Sequence, residues 1–263
     1  MPRSFLKSEA LMGKDTAKKR LHLLDYFRGI AFVNMAIYHA LFLLDDMYNI
    51  RPLPDLIMEI YQNLICSGFI LISGAALSLM KKSGRDILKL VLAAAAVSVA
   101  TYIATPEYFI SFGILHFFSL ALIIGTAVKP LLYKIPPLFG AALNLLLFTL
   151  FYAADDGYGG IFALRLFDFP DALYNFPLSF VFGFPSPTYT SGDYFGLIPW
   201  ISLYFAGFFI FRIIRENKKA LDFFYKNPKP YFLSFFGRNS LIFYLIHQPI
   251  IYAVLYVIFK IIR

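Results

Sequence analysis

The chain has 263 residues, of which 59% are hydrophobic and only 15% charged, with a mean hydropathy of +0.67. That balance excludes a water-soluble globular domain, because apolar runs of about 18 residues or more recur along the sequence. The net charge of +8 lies between those runs, so it orients a membrane protein and is not a nucleic-acid footprint.

Residues 1–20 carry Arg3, Lys7, Lys14, Lys18, Lys19 and Arg20, which predicts a basic cytoplasmic tail ahead of a single integral domain over 21–263. No cleavable leader is expected, since the first apolar run starts late and lacks a small-residue cleavage site. The charge bias predicts seven spans with the N-terminus inside: 27–44, 58–80, one ending near 103, 108–128, 137–153, 193–211 and 237–262. The fold class is therefore an all-α polytopic transmembrane helical bundle. The segment 155–193 holds Pro170, Pro177, Pro185 and Pro187 among many aromatics, and reads as interfacial or re-entrant pieces with an eighth span as the alternative. In the second span Ser67-Gly68 and Ser73-Gly74 allow close helix approach. The lone cysteine, Cys66, permits no intrachain disulfide and reads as a small core residue.

The first span places Arg28 and His39 in one apolar segment. Eleven helical steps of roughly 100° bring both onto one face, about 16 Å apart along the axis. That spacing suits a ligand with an anionic head and a long thin arm, such as an acyl-CoA thioester. Arginine at a cytoplasmic helix end also satisfies the positive-inside rule, so both readings of Arg28 stand. An imidazole inside a membrane helix faces a cavity or a partner, because burying an ionisable group in hydrocarbon is costly. Asp25, three residues before Arg28, is placed to pair with it.

Counting from the helix ends at roughly 1.5 Å per residue, His39, His116 and His247 all fall between the midplane and the outer leaflet. Pro249 removes the helical partner of the Leu245 carbonyl nearby. At the cytoplasmic end, Gly237-Arg238-Asn239-Ser240 offers backbone N–H groups and a cation to phosphate. Asp193 stands at the outer end of the sixth span, where it serves either the chemistry or as a helix N-cap. A neutral imidazole can take a proton from a hydroxyl or amine as it attacks a thioester, and a covalent acyl-histidine is equally compatible. The candidate catalytic residues are thus His39, His116 and Asp193, and the donor-binding residues Arg28, Arg238, Asn239, Ser240 and His247. No His or acidic residues fall at metal-ligand spacing within one helix, so no metal is expected.

Four stretches in order resemble a known family: Leu24-Asp25-Tyr26-Phe27-Arg28-Gly29-Ile30-Ala31, Phe112-Gly113-Ile114-Leu115-His116, Asp193 through Trp200, and Gly237 through Pro249. They are similar to the small prokaryotic relatives of heparan-alpha-glucosaminide N-acetyltransferase, over nearly the whole chain from about residue 21. The pairing of Arg28 with His39 also resembles that of the wider transmembrane acyltransferases of surface glycans, which implies that both engage the acyl-CoA donor. Residues 45–56 hold no histidine, so the lumenal-loop histidine of the lysosomal members has no counterpart here. The resemblance implies an integral acyltransferase of the cell membrane that carries an acetyl or short acyl group from cytoplasmic acetyl-CoA to an extracytoplasmic glycan or amino sugar. Membrane lipid is the other partner, and a homodimer is left open. A proton-coupled small-molecule transporter is the alternative, although only the last span has an obvious internal proline break.

Overall fold

The computed structural model describes residues 20–81, 83–161 and 164–262. The basic residues expected to form the tail, Arg3 to Lys19, lie outside them. The protein is all-α and polytopic. Among the described residues six helices are long and apolar enough to cross a membrane: α1 (His22–Tyr48), α2 (Asp55–Leu79), α3 (Gly84–Ala104), α4 (Ile114–Leu132), α7 (Leu197–Glu216) and the helix from Ser240, α10 (Ser240–Tyr256), which runs on to Lys260. The run expected as the fifth span is α5 (Pro137–Leu150), whose 14 residues reach about 21 Å, short of a hydrocarbon core of about 30 Å.

Among the described residues the segment 155–193 contains no span. It forms a hairpin of β1 (Tyr158–Ile161) and β2 (Leu164–Asp168), antiparallel with Tyr158 opposite Asp168, and the short α6 (Ser179–Phe182). Proline and glycine break any longer helical run there. After α7 come α8 (Lys218–Phe224) and α9 (Tyr231–Arg238).

The chain divides into two compact units, residues 1–40 with 215–263, and residues 41–214. Each has its own glycine-mediated helix crossing. In the first unit α1 meets α9 backbone to backbone: a Cβ on Gly29 would lie 1.9 Å from the Leu233 carbonyl oxygen, and one on Gly237 would lie 1.7 Å from that of Asp25. Glycine is required on both sides, since any side chain would force the helices apart. In the second unit α2 and α7 cross in the same reciprocal way, Gly74 against the Tyr204 carbonyl at 1.8 Å and Gly207 against that of Leu71 at 2.1 Å. Gly68, six residues earlier on α2, faces open space. Around that crossing Ile70, Leu77, Phe117, Phe208, Phe209 and Phe211 are buried and form the core of the second unit.

The loop-side ends of this core are tied by cations. Lys129 donates to the carbonyls of Leu77 and Met80 at 2.7 and 2.6 Å, closing the C-terminal end of α2. Arg212 donates to those of Leu132 and Ile135 at 2.9 and 3.0 Å, at the end of α4 and just past it. Both ammonium and guanidinium sit where helix ends leave carbonyls unsatisfied and the dipole is negative.

Candidate functional site

In the first unit, Leu24, Ala31, Phe32 and Met35 follow helical spacing and bury one stripe of α1. Phe32 organises what packs on it, with its ring 5.5 Å from Phe236, 5.6 Å from Phe243 and 6.1 Å from His247. This aromatic seat brings α10 alongside α1 and sets the His247 ring 5.0 Å from His39, centroid to centroid. Two imidazoles predicted to share a depth are therefore neighbours.

Their hydrogen bonds fix where the protons are. His247 Nδ1 lies 2.6 Å from the Tyr244 carbonyl oxygen, which can only accept, so Nδ1 carries the proton and Nε2 carries a lone pair. That Nε2 is buried and has no hydrogen-bond partner. His39 Nδ1 receives the Gln248 amide N–H at 3.2 Å, which leaves the His39 proton on Nε2. Gln248 is exposed, and so can be displaced.

Toward the start of α1, Asp25 is buried and held by two arginines. Arg20 Nε donates to Oδ2 at 2.6 Å, and Arg28 Nη1 stands 3.5 Å from Oδ1 at the expected three-residue spacing. Two guanidinium groups around one carboxylate leave a net positive charge, an arrangement receptive to an anion. Arg238 is exposed in the last turn of α9, and Asn239 caps that helix: its N–H goes to the carbonyls of Phe235 and Phe236 and its side-chain amide to Phe235. The backbone donor expected at Asn239 is thus spent on the preceding helix, and Ser240 begins α10.

The second unit holds the other two candidates. His116 accepts the Gly113 N–H at Nδ1, 3.2 Å away, so its Nε2 bears the proton and points to Ser98 Oγ at 3.2 Å. Ser98 in turn donates to the Ile110 carbonyl at 2.6 Å. Both ring nitrogens are occupied, and His116 ties the N-terminal end of α4 to α3.

Asp193 lies outside the helix predicted to start with it, since α7 begins at Leu197. Its Oδ2 accepts the Ile114 N–H at 3.0 Å, so it caps α4 from a position 79 residues further along the chain. Gly113 allows this approach, because a Cβ there would lie 2.5 Å from that oxygen. Residues 109–112 run beside 192–195 through bonds from Gly192 to Phe109 and from Phe195 to Phe112, which is why α4 starts at Ile114 and not near Tyr108. Burial raises the Asp193 carboxyl to about 6, partly offset by the Ile114 N–H. Beside it Ser191 donates to the Asp193 carbonyl at 2.6 Å, and the hydroxyls of Ser111 and Tyr189 share a bond of 2.6 Å. Burial also raises the Tyr189 and Tyr194 phenols, which therefore remain protonated at neutral pH. Tyr189 stacks on Phe180 at 4.5 Å and lines a groove of about 530 Å³ together with Tyr174, Asn175, Ser186 and Thr188.

Among the described residues no group of three or more His, Cys, Asp or Glu side chains is arranged to hold a metal ion. The family model described as "Heparan-alpha-glucosaminide N-acetyltransferase, catalytic" matches residues 20–249. The chain belongs to that family. The match runs from Arg20 to Pro249 and so takes in Asp25, Arg28, His39, His116, Asp193, Arg238 and His247. With six apolar helices of spanning length, this member of the heparan-alpha-glucosaminide N-acetyltransferase family is a membrane acetyltransferase. No curated protein and no solved structure matches the chain.

Proposed function

We propose that the protein takes an acetyl or short acyl group from cytoplasmic acyl-CoA, acetyl-CoA in the first instance, and delivers it to an extracytoplasmic sugar or amine. The observation that carries this reading is the imidazole pair of His39 and His247, placed on the same unit as the arginine-flanked Asp25. Arg28 and Arg238 take the phosphates, with Ser240 as a hydroxyl partner and Asn239 holding the turn between α9 and α10. Arg28 suits phosphate because it keeps free donors beyond its contact with Asp25. His39 acts as the base toward the acceptor, exchanging its bond with Gln248 for one with the acceptor N–H or O–H.

His116 and Asp193 are assigned to the acceptor side of the chemistry, where they hold the N-terminal end of α4 and the loop beside it. The N-terminus lies in the cytoplasm in this reading, and the protein resides in the cell membrane.

The test is calorimetric binding of acetyl-CoA to detergent-purified protein, comparing wild type with Arg28→Ala and Arg238→Ala. A charge-assisted contact is worth roughly 1.5 to 3 kcal/mol, so each substitution should weaken binding at least tenfold. Absence of saturable binding in folded wild-type protein would refute the donor assignment.

A further inference from the structure

The bare Nε2 of His247 is a buried acceptor with nothing to accept from, and a polar atom left in that state costs free energy. Its neighbour carries a proton. The tautomers derived above put a proton on His39 Nε2 and a lone pair on His247 Nε2, in rings whose centroids are 5.0 Å apart. His39 is partly exposed and His247 buried. His39, which keeps accessible surface, is therefore the ring assigned to the acceptor.

We infer that the two rings, which no hydrogen bond joins in the resting structure, close on substrate binding into a proton relay in which His247 Nε2 is the terminal acceptor. The inference rests on the acyl-transfer reading for its substrate. The acceptor amine or hydroxyl displaces the Gln248 amide from His39 Nδ1. As its nitrogen or oxygen forms a bond to the thioester carbonyl carbon, its proton passes to His39 Nδ1 and the proton on His39 Nε2 passes to His247 Nε2. The carbon–sulfur bond breaks, the thiolate leaves with the electron pair, and it regains the proton as the relay runs backward. His39 is never left as a cation. The positive charge rests on His247, whose Nδ1–H bond to the Tyr244 carbonyl strengthens when the ring is an imidazolium. His247 acts through His39, so it is a positioning and proton-holding residue and does not touch the substrate.

Two substitutions separate this role from a structural one. In His247→Asn the amide nitrogen stands near the Nδ1 position and keeps the bond to Tyr244, while the Nε2 lone pair is gone. In His247→Gln an amide oxygen replaces the Nε2 acceptor and the Tyr244 bond is lost. Turnover is measured with acetyl-CoA as donor and glucosamine as acceptor, together with solvent deuterium dependence, in protein whose melting temperature is recorded. The relay predicts that His247→Asn melts as wild type does yet loses roughly 10²- to 10⁴-fold in turnover, the range of general base catalysis. It further predicts that a proton inventory indicating two protons in flight becomes one of a single proton.

A His247→Asn enzyme within threefold of wild type would overturn the relay. So would ring-¹⁵N histidine spectra showing His247 protonated at Nε2 and bare at Nδ1. The spectra need no substrate. If the wild type transfers no acetyl group, the acyl-transfer reading fails and the relay as a step of that reaction fails with it, whereas a wild type that works alongside an unaffected His247→Asn defeats the relay alone.

Discussion

Asp193→Asn separates charge from hydrogen bonding at one atom. The asparagine oxygen can still accept the Ile114 N–H, but the side chain cannot ionise. In the folded protein the Asp193 carboxyl is raised by burial from 3.8 to about 6. The fold therefore holds more protons than the unfolded chain between those values, and stability falls as pH rises through that window. The loss is absent below about pH 4 and complete above about pH 6. At 1.36 kcal/mol per unit the shift corresponds to roughly 3 kcal/mol, from which the lost attraction between a carboxylate and the α4 N-terminus removes about 0.3 to 1 kcal/mol.

The variant should thus be more stable than wild type at pH 8 by about 2 kcal/mol, and no more stable at pH 4. In a chain of 263 residues this is a rise of about 4 to 8 °C in melting temperature. Thermal melts of both proteins in one detergent at pH 4, 6 and 8 measure it. A difference that does not change with pH, or a variant less stable at pH 8 than at pH 4 relative to wild type, would refute the assignment of Asp193 as a desolvated cap. Acetyl transfer by the same samples tells whether its charge also serves the chemistry.

Gly74→Ala should destabilise by roughly 1 to 3 kcal/mol, since its Cβ would press on the Tyr204 carbonyl, whereas Gly68→Ala, with open space around it, should be neutral or stabilise by up to about 1 kcal/mol; parallel melts compare them. Asp25→Asn leaves Arg20 and Arg28 without their shared counter-charge and should cost about 1 to 3 kcal/mol, seen as a lower melting temperature that added acetyl-CoA raises again if the arginines take its phosphates. Arg212→Lys should not restore what Arg212→Ala loses, because one ammonium cannot reproduce the planar fork that reaches the carbonyls at the end of α4 and just past it; comparing the melting temperatures of the two variants with wild type decides it.

The helices were legible because each is a long apolar run, and the Asp25 with Arg28 contact because residues three apart share a helix face. Arg20 as a second holder of Asp25 was not, since it stands ahead of α1, where no periodicity applies. The pairing of His39 with His247 was half legible. Depth follows from counting along a helix, but which helix stands next to which depends on Gly29, Gly237 and the Phe32 seat. The same count grouped His116 with the other two, yet its nitrogens are occupied by Gly113 and Ser98 in the second unit. The start of α4 was placed too early because its boundary is set by strand-like pairing with residues some 80 positions away. Asp193 looked like a cap for its own helix for the same reason: local sequence names a capping residue but not the helix it will cap.

Lys129 and Arg212 are among the cations from which the orientation in the membrane is predicted, and they stand near the C-terminal ends of α4 and α7. A topogenic charge is read during insertion, when the segment is still an unfolded chain passing the membrane. Once folded, these two have become clamps on the ends of α2 and α4, their charges spent on main-chain oxygens. The charges that direct a segment to one side thus become the fastenings of the folded helix ends.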